Sequence, residues 1–123
     1  MESSPVTITF PATPEYLRLA RIATADAASR AGLDYEEIDD VRIAVSELCS
    51  VVSAAAQSTV TLSFRAGQGT IIVEGESHTG DASVEGSELS QVIVAAVTDE
   101  HSMTTTDGVT RFRVAKTARH RET

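Results

Sequence analysis

The stretch Ile38–Ala56, IDDVRIAVSELCSVVSAAA, decides the fold. Apolar residues at Val41, Ala44, Val45, Leu48 and Val52 recur at helical spacing and predict one long amphipathic helix with a core-facing stripe. Just upstream, Asp34 with Glu37 three residues on forms a capping box, which fixes where that helix begins. Glu47 stands in its middle, one position from the apolar stripe. An acid there either lies on the solvated flank of the helix or faces a polar cavity, because a buried and unpaired carboxylate is too costly. Cys49, the single cysteine, falls inside the apolar pattern and reads as a small buried hydrophobe.

Toward the N-terminus, Val6–Phe10 (VTITF) alternates as a strand with Val6, Ile8 and Phe10 on one face. Thr13, Pro14 and Glu15 then supply an N-cap, a first-turn proline and an acid for the positive end of the helix dipole. A helix is expected from Pro14 to about Ala31, ending at Gly32, with Tyr16, Leu19, Ala20, Ala23 and Ala27 inward.

Toward the C-terminus, Ser58–Ala66 and Thr70–Glu74 flank Gly67-Gln68-Gly69 and read as a hairpin with Val60, Leu62 and Phe64 buried. Gly75–Gly86 is polar and without period, so a loop is expected. Ser87 caps a short helix over Glu88–Thr98 with Leu89, Val92, Ile93 and Ala96 inward. A last hairpin turns at Thr106-Asp107-Gly108 and returns from Val109 to Ala115 on Val109, Phe112 and Val114, with a bulge near Val109. From Lys116 a frayed polar tail is expected.

This β–α–α–β–β–α–β–β order predicts an α+β two-layer sandwich: a mostly antiparallel sheet of about five strands with three helices on one face. With 123 residues and 41% hydrophobic content the chain suits one core, taken as residues 1–116 followed by a basic polar tail at 117–123. Aromatics are only 4%, so that core must be built from Val, Ile, Leu and Ala.

The formal charge of −8 argues against direct nucleic-acid binding, which needs a basic surface to displace counterions. Five basic residues, Arg111, Arg113, Lys116, Arg119 and Arg121, crowd the C-terminal end and read as a solvated patch beside an acidic body. No stretch reads as a signal peptide, and none approaches the ~20 apolar residues needed to span a bilayer, so a cytoplasmic protein without membrane contact is expected. His78, His101 and His120 lack partners at metal-ligand spacing.

The segment from Pro11 to Val52, followed by a hairpin and a short helix, resembles the anti-sigma-factor serine kinases of the GHKL ATPase superfamily, whose domain is the Bergerat fold. The resemblance rests on Ala44-Val45-Ser46-Glu47-Leu48-Cys49-Ser50-Val51, which is similar to that family's A-V-S-E-A-x-x-N box. It implies that Glu47 takes the place of the general base near the γ-phosphate. At the position of the family's magnesium-holding Asn this chain has Val51, which has no oxygen for a hard cation.

The family's V-x-D-x-G-x-G-F-D motif compares with Val73–Asp81, so Gly75 stands for the adenine-binding Asp, and Ser77 and Thr79 for its glycines. Glu74 and Glu76 flank the missing acid and offer a shifted substitute. The family's G-x-G-L turn compares with Gly86-Ser87-Glu88-Leu89, where Glu88 puts a carboxylate at the phosphate position. Metal, adenine and phosphate positions are therefore altered together on an intact skeleton.

What the resemblance implies is a regulatory protein that binds a sigma factor, an anti-anti-sigma antagonist or both, with little or no ATP binding and no resident cofactor. One alternative is an ATP- and Mg²⁺-dependent protein serine kinase with an atypical metal site; another is an interaction domain of an unrelated pathway. The resemblance also implies a homodimer. It points to Arg21, in Leu19-Ala20-Arg21, as a partner-binding residue, against the plain reading of a solvated arginine.

Overall fold

The computed structural model describes residues 5–119. Strand β1 (Val6–Pro11) leads through a 3-10 turn (Pro14–Tyr16) into helix α1 (Leu17–Arg30) and helix α2 (Tyr35–Ala55). Strands β2 (Thr59–Gly67) and β3 (Thr70–His78), helix α3 (Glu88–Val97) and strands β4 (Glu100–Thr106) and β5 (Val109–Thr117) complete it. The five strands form one sheet in the order β1-β2-β3-β5-β4, every neighbouring pair antiparallel. The three helices lie on one face, so the expected two-layer α+β sandwich is the observed fold.

The helix ends follow the local chemistry. Gly32 at φ +91° closes α1, with its N–H bonded to the Ser29 carbonyl and the Leu33 N–H to the Ala28 carbonyl, a complete Schellman stop. The Asp34 carboxylate accepts from the Glu37 N–H while the Glu37 carboxylate accepts from the Asp34 N–H, each at 2.8 Å. Thr13, in contrast, is extended and its side chain makes no capping bond, so α1 opens through a 3-10 turn instead.

Small side chains let the layers approach. Ala20, Ala28, Ala44 and Val45 are fully buried, and Val60, Leu62, Val73 and Val114 meet them from the sheet. Cys49 is buried among them, and burial pushes its thiol from 9.0 up to about 12. The raised folded-state value means that its contribution to stability is complete below pH 9 and is lost as pH rises toward about 12. At pH 8 a thiol reagent should modify Cys49 only as fast as the chain opens, so the labelling rate should climb with urea. Rapid labelling of the native protein would contradict this placement.

Several expectations about faces are corrected. Along α1 the buried residues are Ala20, Thr24, Ala27 and Ala28, whereas Leu19 is 41% exposed and Tyr16, stacked on Phe10 before the helix, 36%. The helix is rotated so that its smallest residues, with Thr24 bonded back to the Ala20 carbonyl, meet the sheet. The β2–β3 turn has two residues, not three, since Gly67 pairs with Thr70. No bulge occurs at Val109: it pairs with Thr106 across a turn whose Asp107 and Gly108 both have positive φ, and this places Thr110, not Val109, on the inner face.

The tail is also corrected as far as it is described; residues 120–123 lie outside the described residues. Lys116 is a buried member of β5, its Nζ 3.3 Å from Asp40 on α2. Ala118 is buried and its N–H donates to the Gly69 carbonyl, while the Arg119 N–H donates to Glu37. The basic character that suggested a solvated tail instead serves partners on α2.

Candidate functional site

Two clefts flank α2: Arg21 and Glu47 line one, Val51 and Gly86 the other, and Gly75, Ser77, Thr79 and Glu88 line neither. The larger, about 380 Å³, lies between the C-terminal half of α2, the loop before α3, α3 itself and β4, with Val51, Gly86, Ser90, Val94 and Met103 in its wall. The shallower one, about 350 Å³, lies between α1 and α2 and is lined by Arg21, Arg42, Ile43, Ser46 and Glu47.

Glu47 is half-buried in the second cleft and makes no hydrogen bond or ion pair among the described residues. Arg21 donates from Nε to Ser46 Oγ at 3.1 Å, which ties α1 to α2 at the same place. Arg42 is held by Asp39. The structure thus brings together the candidate base and the candidate partner-binding arginine. Val51, one turn beyond Glu47, lines the other cleft.

In the first cleft Gly86 packs directly on α2. A Cβ built on Gly86 would lie 3.4 Å from Val51 Cγ2 and 3.3 Å from Ser90 Oγ. Val51 is therefore partly covered by the loop and otherwise faces the cleft. Ser87 caps α3, its Oγ accepting from the Ser90 N–H at 3.0 Å, and Glu88 stands exposed in the first turn. A carboxylate there suits the helix dipole and repels a phosphate.

The first four residues of the segment read as a loop, 75–78, continue β3, and the loop runs over residues 79–86 as expected. Burial alternates through the strand, with Ile71, Val73, Gly75 and Ser77 inward and Glu74, Glu76 and His78 outward. Gly75 faces Phe112 across the β3–β5 ladder, and a Cβ there would come 2.3 Å from Phe112 Cε2 and 3.0 Å from Leu62 Cδ2. A side chain at this position would meet an aromatic ring. Ser77 Oγ donates to the Thr59 carbonyl at 2.6 Å, and Thr79 and Thr110 share a 2.8 Å hydroxyl bond.

The flanking acids do not reach inward. Glu74 pairs with Arg113 at 3.2 Å and Glu76 with Arg111 at 3.4 Å on the outer face of the sheet. The substitute-acid idea is thereby excluded by strand parity: residues adjacent to Gly75 must point the other way. At the three positions that the resemblance assigns to metal, adenine and phosphate, the residues present do not match a magnesium nucleotide: the valine side chain has no oxygen for a metal, Phe112 leaves no room for a side chain at Gly75, and the Glu88 carboxylate would oppose a phosphate. Among the described residues no three His, Cys, Asp or Glu converge as a metal site, and no helix is long and apolar enough to cross a membrane.

Phe112 is the residue that sequence reasoning missed here. It was expected in the core, but its place opposite Gly75 follows only from register. A strand assignment carried through Gly75-Glu76-Ser77 would have shown it.

Comparison with known proteins gives the same skeleton. In a 42-residue segment, 34% of this chain and 27% of the relative, the chain is 52% identical to the serine-protein kinase RsbW of Listeria monocytogenes serotype 4a (strain HCC23). With RsbW of Bacillus subtilis (strain 168) it is 50% identical over 40 residues, 32% of this chain and 25% of that kinase. The matched segment thus spans about a quarter of the length of these curated relatives. The crystal structure of the RsbU and RsbW domains of Rv1364c from Mycobacterium tuberculosis superposes with a TM-score of 0.71 at 20% identity, covering 94% of this chain and 32% of that one, and bears on the fold alone. Residues 10–116 match the histidine kinase-like ATPase domain family, nearly the full described length and in agreement with the GHKL resemblance read from the sequence, and the chain belongs to that family.

Proposed function

We propose that this chain is a regulatory binding domain of the anti-sigma kind, which holds a sigma factor, an anti-anti-sigma antagonist or both through the face of α1 and α2 that carries Arg21, without phosphorylating its partner. The observation that carries this reading is the closure of the inner sheet wall by Phe112 against Gly75, together with Val51 beneath Gly86. A fold kept intact while its metal, adenine and phosphate positions are all altered is a scaffold for protein contacts.

A thermal-shift titration with ATP and ADP, with and without Mg²⁺, tests it. A nucleotide bound at a hundred times its Kd would stabilise the folded chain by about 2.7 kcal/mol. No shift is expected at millimolar nucleotide, and calorimetry should then detect a complex with a sigma factor or antagonist from the same organism that Arg21→Ala weakens. Failure to bind any such protein would sink the proposal.

The second reading, a protein serine kinase, is favoured by the 52% identical segment shared with a protein named as a serine-protein kinase and by Glu47 at the base position. It requires a nucleotide-dependent shift and transfer of phosphate to a partner serine, lost in Glu47→Gln. An unrelated partner captured in place of both would point to the third reading, an interaction domain of another pathway.

A further inference from the structure

Helix α3 carries an apolar stripe that faces solvent. The spacing of Leu89, Val92, Ile93 and Ala96 predicted the inward face, yet Leu89 is 69% and Val92 64% exposed, Ala96 is exposed and Ile93 only half-buried. Ser90 and Val94 are the buried residues instead. Small Ser90 fits beneath Gly86, which sets the helix rotation and turns the stripe outward. The helix has one charged residue, Glu88, so nothing on the stripe itself favours water. An apolar row at helical spacing on a surface helix is the form taken by a helix-binding face.

Its electrostatic surroundings are one-sided. Between Arg65 and Arg111 the sequence contains no Lys or Arg, and Glu85 and Glu88 lie in the segment entering α3 and in its first turn, whereas Glu100, paired with Ala115, points to the helix-free face of the sheet and the Asp99 carboxylate accepts from the Thr117 N–H. Glu85 and Glu88 are both exposed. Two carboxylates at the start of an apolar row, on a chain of formal charge −8, disfavour a second copy and an anionic bilayer.

We infer that the exposed face of α3 is a docking site for a basic amphipathic helix of a partner protein, with apolar residues seated on Leu89, Val92 and Ala96 and Lys or Arg side chains on the flanking carboxylates. This site lies at the opposite end of the helix layer from Arg21, since α1 packs over β2 and β3 while α3 packs on α2 beside β4. It therefore stands independently of the function proposed above.

The test uses a fluorescent synthetic peptide of about 18 residues, about five helical turns, with Leu at i, i+3, i+4 and i+7 and Lys or Arg along both borders. A control peptide carries Glu in place of every base. Fluorescence anisotropy with the full chain should show saturable binding of the basic peptide, weakened by salt, and at least about tenfold weaker binding of the acidic one. Leu89→Ser with Val92→Ser should weaken the basic peptide about tenfold or more, and Glu85→Gln with Glu88→Gln should weaken it and flatten its salt dependence, each with an unchanged circular dichroism melt. Absence of binding, or binding indifferent to both pairs of substitutions, would overturn the inference. So would sedimentation showing self-association that Leu89→Ser and Val92→Ser abolish, or attachment to phosphatidylcholine–phosphatidylglycerol vesicles that the basic peptide does not compete.

Discussion

Replacing Gly75 by aspartate, the residue that the sequence resemblance implies for this place, is expected to damage the fold and not to create a nucleotide site. A Cβ at this position falls 2.3 Å from Phe112 Cε2, 2.5 Å from Cζ and 3.0 Å from Leu62 Cδ2. Phe112 is 2% exposed and Leu62 fully buried, so neither side chain has free space to enter. Overpacking alone costs about 1–3 kcal/mol, the loss expected for Gly75→Ala. The aspartate adds an unpaired carboxylate to the same place, a further penalty of several kcal/mol that protonation relieves only in part. A total on the order of 4–5 kcal/mol is expected, a large share of the stability of a domain this size. Urea denaturation measures it. Phe112→Ala in the Gly75→Asp background removes the colliding ring and should recover part of the loss, whereas Phe112→Ala alone should cost about 3–5 kcal/mol. If Gly75→Asp keeps its stability and gains nucleotide affinity, the ring is a movable door and not part of the wall, and the kinase reading regains its footing.

How far this wall could be read from the chain depends on what each residue signals locally. The capping box at Asp34 and Glu37, the stop at Gly32 and the inward alternation of Val60, Leu62 and Phe64 are set by neighbours in sequence, and all of them stand as read. The second half of β3 was illegible because its inward residues are Gly75 and Ser77; a strand whose buried face is made of the smallest side chains shows no hydrophobic period. The face of α3 was illegible for the opposite reason. Val92, Ile93 and Val94 are consecutive, so several rotations bury a valine, and only the packing of Ser90 under Gly86 selects one. Glu47 and Val51 were correctly placed one turn apart on α2, but which cleft each one lines depends on α1 and α3 closing from opposite sides. Propensity carries the elements, and register carries the site.

Glu37→Ala is expected to be the most damaging change at an acidic position, although Glu37 reads in sequence as half of a helix cap. Its side chain is 2% exposed. One carboxylate oxygen accepts from the Asp34 N–H at 2.8 Å, and the other accepts from the Arg119 N–H at 2.6 Å with the guanidinium of the same arginine 3.5 Å away. The second oxygen joins the start of α2 to a residue 82 positions later in the chain, immediately past β5. Alanine removes both acceptors at once. Hydrogen bonds to a charged group contribute about 1.5–3 kcal/mol each, so a loss of about 3–5 kcal/mol is expected in urea denaturation. Glu36 supplies the comparison: its side chain is 84% exposed and reaches the same Arg119 only at 3.5 Å, so Glu36→Ala should fall below about 0.5 kcal/mol. Arg119→Pro takes away the N–H that Glu37 receives. If Glu37 anchors the C-terminal end of the sheet to α2, the double variant Glu37→Ala with Arg119→Pro should lose clearly less than the sum of the single losses, with a coupling above about 0.5 kcal/mol. Additive losses would mean that Glu37 stabilises only its own helix cap, and that the end of β5 is held by Lys116, Thr117 and Ala118 without it.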